Sequence, residues 1–344
     1  MTPRTHGGAD ARGAARWDFS TCANAAGPCS AALVAAQAAP PPPPPHPART
    51  AAAAGAAVRQ ALAALHGVEL WRVLPAASAS EFIQRFTAVT GRLWPGAVQV
   101  PVNAYGDYAH AARAWGRAVR AADPAEGDAE APTLRWLADP SSPLGQDCAL
   151  PPQPGACPTV LDAVYAPLRL TGVSAWGRAA LDAVFVLHSP NKALGLTGVR
   201  GAYAVAPLSA SYDLQACCRA LDDAAPSWPW SAQAEAMLAN WATQAAQDWV
   251  AQSRQLLAMW KAELQQGLAA RGFVLLPSKT PYFVARPSQL LDPTELREHG
   301  VAVRDAASFG LSGCWRVSAQ GPQAQEALTR ALDRALDAVK GRRR

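Results

Sequence analysis

Short apolar runs recur along the first two thirds of the chain, at residues 98–102, 134–138, 159–165, 183–187 and 203–206. Runs of this length bounded by turn-forming residues predict buried strands. Most are separated by stretches with helical spacing, at 81–89, 108–121 and 177–181. The alternation predicts an α/β unit, a mostly parallel mixed sheet sandwiched by helices. Ahead of it an Ala- and Leu-rich stretch, 49–66, ends in Gly67 and predicts a helix with its C-terminal stop. The pattern then changes. Residues 231–271 form one long helical run, and short strands follow at 273–276, 282–285, 301–304 and 315–318 before a last helix at 322–340. This predicts a second, smaller α+β domain, with an N-terminal arm at 1–48, a large domain at 49–230 and the small domain at 231–344.

Composition narrows the class. Of 344 residues half are apolar and 17% charged, a globular composition with a helical bias. The net charge of +5 owes part of its excess to the terminal Arg342, Arg343 and Arg344, which reads as a solvated tail; no basic-aromatic patch points to nucleic acid. Seven cysteines include no Cys-x-x-Cys pair, so no metal is expected. Their odd number and the polar start, with Arg4, Arg12 and Arg16, predict reduced thiols in a cytoplasmic protein. No run of 18 apolar residues exists, so no membrane span is expected. Six consecutive prolines, 40–45, favour an extended polyproline segment, either a stiff connector or a docking ligand.

The candidate chemistry centres on Lys192, one of only four lysines. It follows the run 183–187 within Ser189-Pro190-Asn191-Lys192-Ala193-Leu194-Gly195-Leu196-Thr197-Gly198-Val199-Arg200. Desolvation at the end of a buried strand lowers an ammonium pKa and frees the amine to form a Schiff base with an aldehyde. Ser189 and Arg200 supply a hydroxyl and a fixed cation, the groups that a phosphate monoester needs.

This spacing, Ser-x-x-Lys-x-x-Gly-Leu-x-Gly-x-Arg, resembles the class I/II aminotransferase family, the fold-type I enzymes that use pyridoxal 5'-phosphate. The resemblance implies that Lys192 is the Schiff-base lysine, that Ser189 and Arg200 bind the cofactor phosphate, and that 49–230 is the cofactor-binding domain. Leu161-Asp162-Ala163-Val164-Tyr165 is similar to the family's Asp-Glu-Ala-Tyr. Asp162 would then hold the pyridine nitrogen protonated and Tyr165 would bond the ring O3'; read alone, they are a helix-capping Asp and a packed Tyr. Ser78-Ala79-Ser80-Glu81 resembles Gly-Ala-Ser-Glu, a turn whose backbone N–H groups take the phosphate, and is equally an ordinary cap. Tyr105, in Asn103-Ala104-Tyr105-Gly106-Asp107-Tyr108, resembles the aromatic residue that stacks on the pyridine. Arg316 resembles the arginine that grips the substrate carboxylate.

The opening His6-Gly7-Gly8 and Asp18-Phe19-Ser20-Thr21-Cys22-Ala23-Asn24 is similar to that of threonine-phosphate decarboxylases, which make the aminopropanol phosphate linker of cobalamin. Histidinol-phosphate aminotransferases share the later motifs. Asn24 would be a substrate-side group, or a turn former. Two positions depart from the pattern: Ser142 replaces the Asn that bonds O3', and His46 stands in place of the Tyr that reaches the neighbouring subunit's phosphate. The resemblance thus implies a homodimeric lyase that decarboxylates threonine phosphate; the alternative is an aminotransferase acting on histidinol phosphate or a related amino acid, and a further one is an inactive scaffold of the same fold that binds partners through its prolines.

Overall fold

The computed structural model describes residues 7–39, 55–122, 132–151, 153–289 and 291–342. The polyproline run 40–45, His46, His6 and the start of the 49–66 helix lie outside these residues. The expected sheet has seven strands in the order Val73–Ala76, Ala202–Val205, Phe185–His188, Thr159–Asp162, Leu134–Ala138, Val98–Val100, Val119–Ala121. Only Ala202–Val205 runs against its neighbours. The other six therefore end on one edge, where loops from distant parts of the sequence converge.

Both faces of the sheet are covered. Phe82, Ile83 and Phe86 from helix Ala79–Leu93, with Ala111 from Gly106–Ala114 and Leu221 from Leu214–Asp223, pack on one face against Trp136, Val160 and Phe185. On the other, helices Ser30–Ala38, Ala56–His66 and Ala232–Trp241 set Ala32, Leu62 and Leu238 against Leu137, Leu161 and Val186. The helix Gln244–Ala269 joins this core at Val250 and Leu257 and a separate core at Leu264 and Leu268. The passage from one core to the other thus falls within that helix. The second core lies under an antiparallel sheet of Arg304–Asp305, Trp315–Ser318, Tyr282–Arg286 and Val274–Leu275, closed by the helix Pro322–Arg342. Its short parallel pair, Trp17–Asp18 with Val301–Ala302, ties the N-terminal arm to this smaller unit.

Four expectations change. The expected helix 108–121 ends at Ala114, because Gly116 takes a left-handed φ of 67° and the next residues, Val119–Ala121, pair with Val98–Val100. The long run 231–271 breaks at Thr243, whose Oγ1 accepts the N–H of Ala246 and caps a new helix. The strand 159–165 stops at Asp162, whose Oδ1 accepts the N–H of Val164 and turns the chain. The strand Val73–Ala76 is unexpected because Pro75 interrupts its pattern; it lies at the sheet's edge, where a missing N–H is tolerated. No helix among the described residues is long and apolar enough to cross a membrane.

Candidate active site

The shared edge of the sheet gathers most of the expected residues. Lys192 Nζ donates to Tyr165 Oη at 2.8 Å. Burial opposes its charge, but Tyr165, then Tyr105 and Cys22, outweigh it, and the ammonium pKa is raised rather than lowered. The expectation from strand-end burial alone is thereby corrected: a lysine given an acceptor keeps its proton longer than one left dry. The loop that carries Lys192 is zipped onto the N-terminal arm, through Asn24 N–H to Lys192 O at 2.9 Å and Cys29 N–H to Leu194 O at 2.9 Å.

Asp162 stands at the end of its strand, beside Lys192. Its Oδ2 accepts the Tyr108 hydroxyl at 2.6 Å, and Tyr108 stacks flat on Trp136 with ring centroids 5.0 Å apart. Burial pushes the carboxyl pKa up, while the Tyr108 hydroxyl, the Val164 amide and the Lys192 charge pull the other way. Tyr105 meets Tyr108 edge to face at 5.7 Å, and burial, with Asp107 close by, pushes its phenol up to about 12. A cationic or protonated ring nitrogen would complete this arrangement, since a buried carboxylate gains most from a positive partner.

The turn 78–80 opens the helix Ala79–Leu93. Ser78 Oγ accepts the Glu81 N–H at 3.1 Å and Glu81 Oε2 accepts the Ala77 N–H at 3.1 Å. This reciprocal cap engages the third amide of the helix, while the first two, of Ala79 and Ser80, have no partner within a helix. An anion fits there. Ser78 adopts φ −163°, extended backbone open to any residue, so the glycine of the family pattern is not needed.

Arg316 comes from the small sheet. Its Nη2 donates to Ser20 O at 2.9 Å and its Nη1 to Ser142 Oγ at 3.3 Å, while Nε is buried with no hydrogen-bond partner among the described residues. Ser142 therefore lies beside the expected carboxylate anchor. Tyr282 bridges the two halves: its ring meets Tyr165 at 4.7 Å and lies 5.7 Å from the Arg316 guanidinium, and its hydroxyl donates to Ser141 O at 2.8 Å.

Three expected residues are placed differently. The Asn24 amide donates to Ala193 O at 2.9 Å and Ser253 Oγ at 2.7 Å, bracing the lysine loop. Ser189 Oγ donates within its own loop, to Asn191 Oδ1 at 3.0 Å. Arg200 is exposed.

Other residues at the site were not legible as chemistry. Cys22 is buried beside Tyr165, Lys192 and Arg316, and burial pushes its thiol pKa up. Arg304 is 4% exposed and pairs across strands with Arg316, 7% exposed, and both guanidiniums flank Phe309 at 5.0 and 5.4 Å. Its chain neighbours Val301, Ala302 and Val303 form a continuous apolar run, so no alternation in the sequence signals that Arg304 turns inward. These residues fit pyridoxal phosphate: Asp162 for a ring nitrogen, the 78–80 turn for a phosphate, Lys192 for an aldehyde.

A profile described as aminotransferase class I and II matches residues 136–334, more than half of the chain. No curated protein matches by sequence. Among solved structures, histidinol-phosphate aminotransferase from Sinorhizobium meliloti, in complex with pyridoxal-5'-phosphate, superposes with a TM-score of 0.71 at 20% identity, over 92% of this chain and 90% of that one. Aspartate aminotransferase from Thermus thermophilus with maleate gives 0.69 at 21% identity, over 90% and 87%. L-threonine-O-3-phosphate decarboxylase from Porphyromonas gingivalis gives 0.63 at 20% identity, over 89% and 92%.

Proposed function

The chain belongs to the aminotransferase class I and II family and is a pyridoxal-phosphate-dependent enzyme; from that premise we propose that it decarboxylates L-threonine O-3-phosphate or a close analogue. The observation that carries the reading is the pair of buried arginines, Arg304 and Arg316, set side by side at the site. Like charges held together in a dry place favour a ligand with more than one anionic group. An amino acid phosphate has both a carboxylate and a phosphate; histidinol phosphate has only the phosphate.

In this reading Arg316 takes the carboxylate, aided by the Ser142 hydroxyl, and Arg304 takes the second anion. The bound cofactor supplies an electron sink for the pair released when a bond to Cα breaks. Asp162, with Tyr108 behind it, keeps the ring nitrogen protonated, and the turn of Ser78, Ala79 and Ser80 holds the phosphate. Tyr105 stacks on the ring, and Tyr165 orients Lys192. Loss of CO₂ would leave its bonding electrons at Cα, and Lys192, held by the Tyr165 hydroxyl, would return a proton to that carbon. The similarity of 18–24 to the decarboxylase opening supports the same choice, because this segment presents Ser20 O to Arg316. A homodimer is part of the reading.

One observation favours a second reading. Glutamate also has two anionic groups, so the same arginines suit transamination with 2-oxoglutarate. The two part on product: incubation with L-threonine O-3-phosphate is expected to release CO₂ and the phosphorylated amino alcohol. Absence of CO₂, with conversion of the cofactor to its amine form by glutamate alone, overturns the decarboxylase in favour of the aminotransferase.

A further inference from the structure

Asp107 has no place in the motifs that point to the cofactor, yet its carboxylate is buried at the phosphate turn. The residue is 6% exposed, and its Oδ2 accepts both Ser80 Oγ at 2.6 Å and Tyr105 Oη at 2.9 Å. Ser80 is the second residue of the fifteen-residue helix Ala79–Leu93, and Asp107 lies in the first turn of Gly106–Ala114. The carboxylate thus sits against the positive ends of two helices, which stabilise a negative charge. Those same partial charges and the Ser80 hydroxyl are what a phosphate group would use. Among the described residues no Lys or Arg forms an ion pair with Asp107, so the negative charge it brings to the turn is not cancelled by a neighbour.

We propose that Asp107 sets the affinity for the cofactor's phosphate: its carboxylate, bonded to Ser80, occupies a donor of the phosphate turn and repels the incoming anion. This rests on the reading of 78–80 as the phosphate turn. The site then holds the phosphorylated cofactor less tightly than its donors alone would allow. The same carboxylate fixes the Tyr105 hydroxyl, so one side chain joins the phosphate turn to the stacking ring. The effect is specific to the phosphate group, which distinguishes it from a general loosening of the pocket.

The test titrates wild type and Asp107→Asn with pyridoxal 5'-phosphate and, separately, with pyridoxal, following the absorption band of the lysine-bound aldehyde. Asparagine keeps an oxygen for Ser80 and Tyr105 but removes the charge. The expected result is about tenfold tighter binding of pyridoxal phosphate, the change that corresponds to ~1.4 kcal/mol, with pyridoxal affinity unchanged within about twofold. Equal shifts for both aldehydes, no shift, or weaker binding of the phosphorylated one overturns the proposal. Should Asp107→Asn fold poorly, Asp107→Ala must move the ratio of the two affinities in the same direction. A wild-type band that borohydride fixes elsewhere than Lys192 overturns the reading of the whole site; a band fixed at Lys192 with an unchanged ratio overturns the role of Asp107 alone.

Discussion

Lys192 and Tyr165 share a 2.8 Å hydrogen bond in a partly buried setting, and this couples their protons. Removing the Tyr165 hydroxyl takes away the group that holds the ammonium up, while burial, which pushes the other way, stays. In Tyr165→Phe the Lys192 amine is therefore expected to titrate at lower pH, read from the pH dependence of its alkylation in cofactor-free protein. Lys192→Ala is expected to leave no borohydride-fixed cofactor adduct by peptide mapping and to lower turnover by about 10²–10⁴ or more, the scale of a lost proton-transfer group. The arginines separate by substrate. Arg316→Lys gives up a two-pronged grip and is expected to reduce kcat/KM on threonine phosphate by about 10- to 100-fold, the equivalent of ~1.5–3 kcal/mol for a charge-assisted bond. Arg304→Lys should cost about as much on threonine phosphate and far less on threonine. Equal losses on both substrates would refute its assignment to the second anion.

At the scale of elements, the lysine loop depends on one close approach. Gly195 takes φ 69°, and a Cβ there would lie 2.7 Å from Gly27 O on the N-terminal arm. Gly195→Ala is thus strained in its backbone and crowded by a carbonyl that the Cys29–Leu194 hydrogen bond keeps near. A destabilisation of roughly 1–3 kcal/mol is expected, measurable as a lower denaturant midpoint together with slower formation of the cofactor band. Motif reading finds this loop easily, since its glycines fall at fixed distances from Lys192. It does not find what the glycine is for, because Gly27 is far away in sequence. The helix ends tell the same story. The stop after Ala114 depends on Gly116 turning left-handed so that Val119–Ala121 can form the edge strand beside Val98–Val100, and sequence periodicity alone continues the helix through both.

For the molecule as a whole, two half-buried imidazoles, one of them on the last residue of the lysine strand, set an acid limit. His66 and His188 lie with ring centroids 4.6 Å apart, and His66 bonds the Tyr203 hydroxyl at 2.8 Å. Burial, with Arg178 nearby, lowers the His66 pKa from 6.5 to about 4, and burial with His66 lowers that of His188 further below its ordinary value. Below pH 6.5 the unfolded chain binds protons that the folded chain excludes, so unfolding becomes easier as pH falls. Stability is expected to be level above about pH 6.5, the ordinary His value, and to drop between there and pH 4, as seen by denaturant titrations at several pH values. His66→Phe should flatten that drop. The lowered carboxyls Asp147 and Asp182 act in a more acid range, below their ordinary 3.8.

The chain's sequence by itself determined the α/β class and named Lys192, Asp162, Tyr165 and Arg316 as candidates. Periodicity and short fixed spacings are local properties, and a strand end with its loop is a local object. What tertiary structure decided was which loops meet. The six strands that end on one edge bring 78–80, 105, 162 and 192 together across more than a hundred residues of sequence, and the small sheet adds Arg304 and Arg316 from beyond the last helix of the large core. Cross-strand pairing, burial and the resulting shifts in proton affinity depend on neighbours that no linear pattern contains. So Arg304 and Asp107 acquire their meaning only in the fold, and Asn24, a plausible substrate ligand by motif, is committed there to bracing the lysine loop.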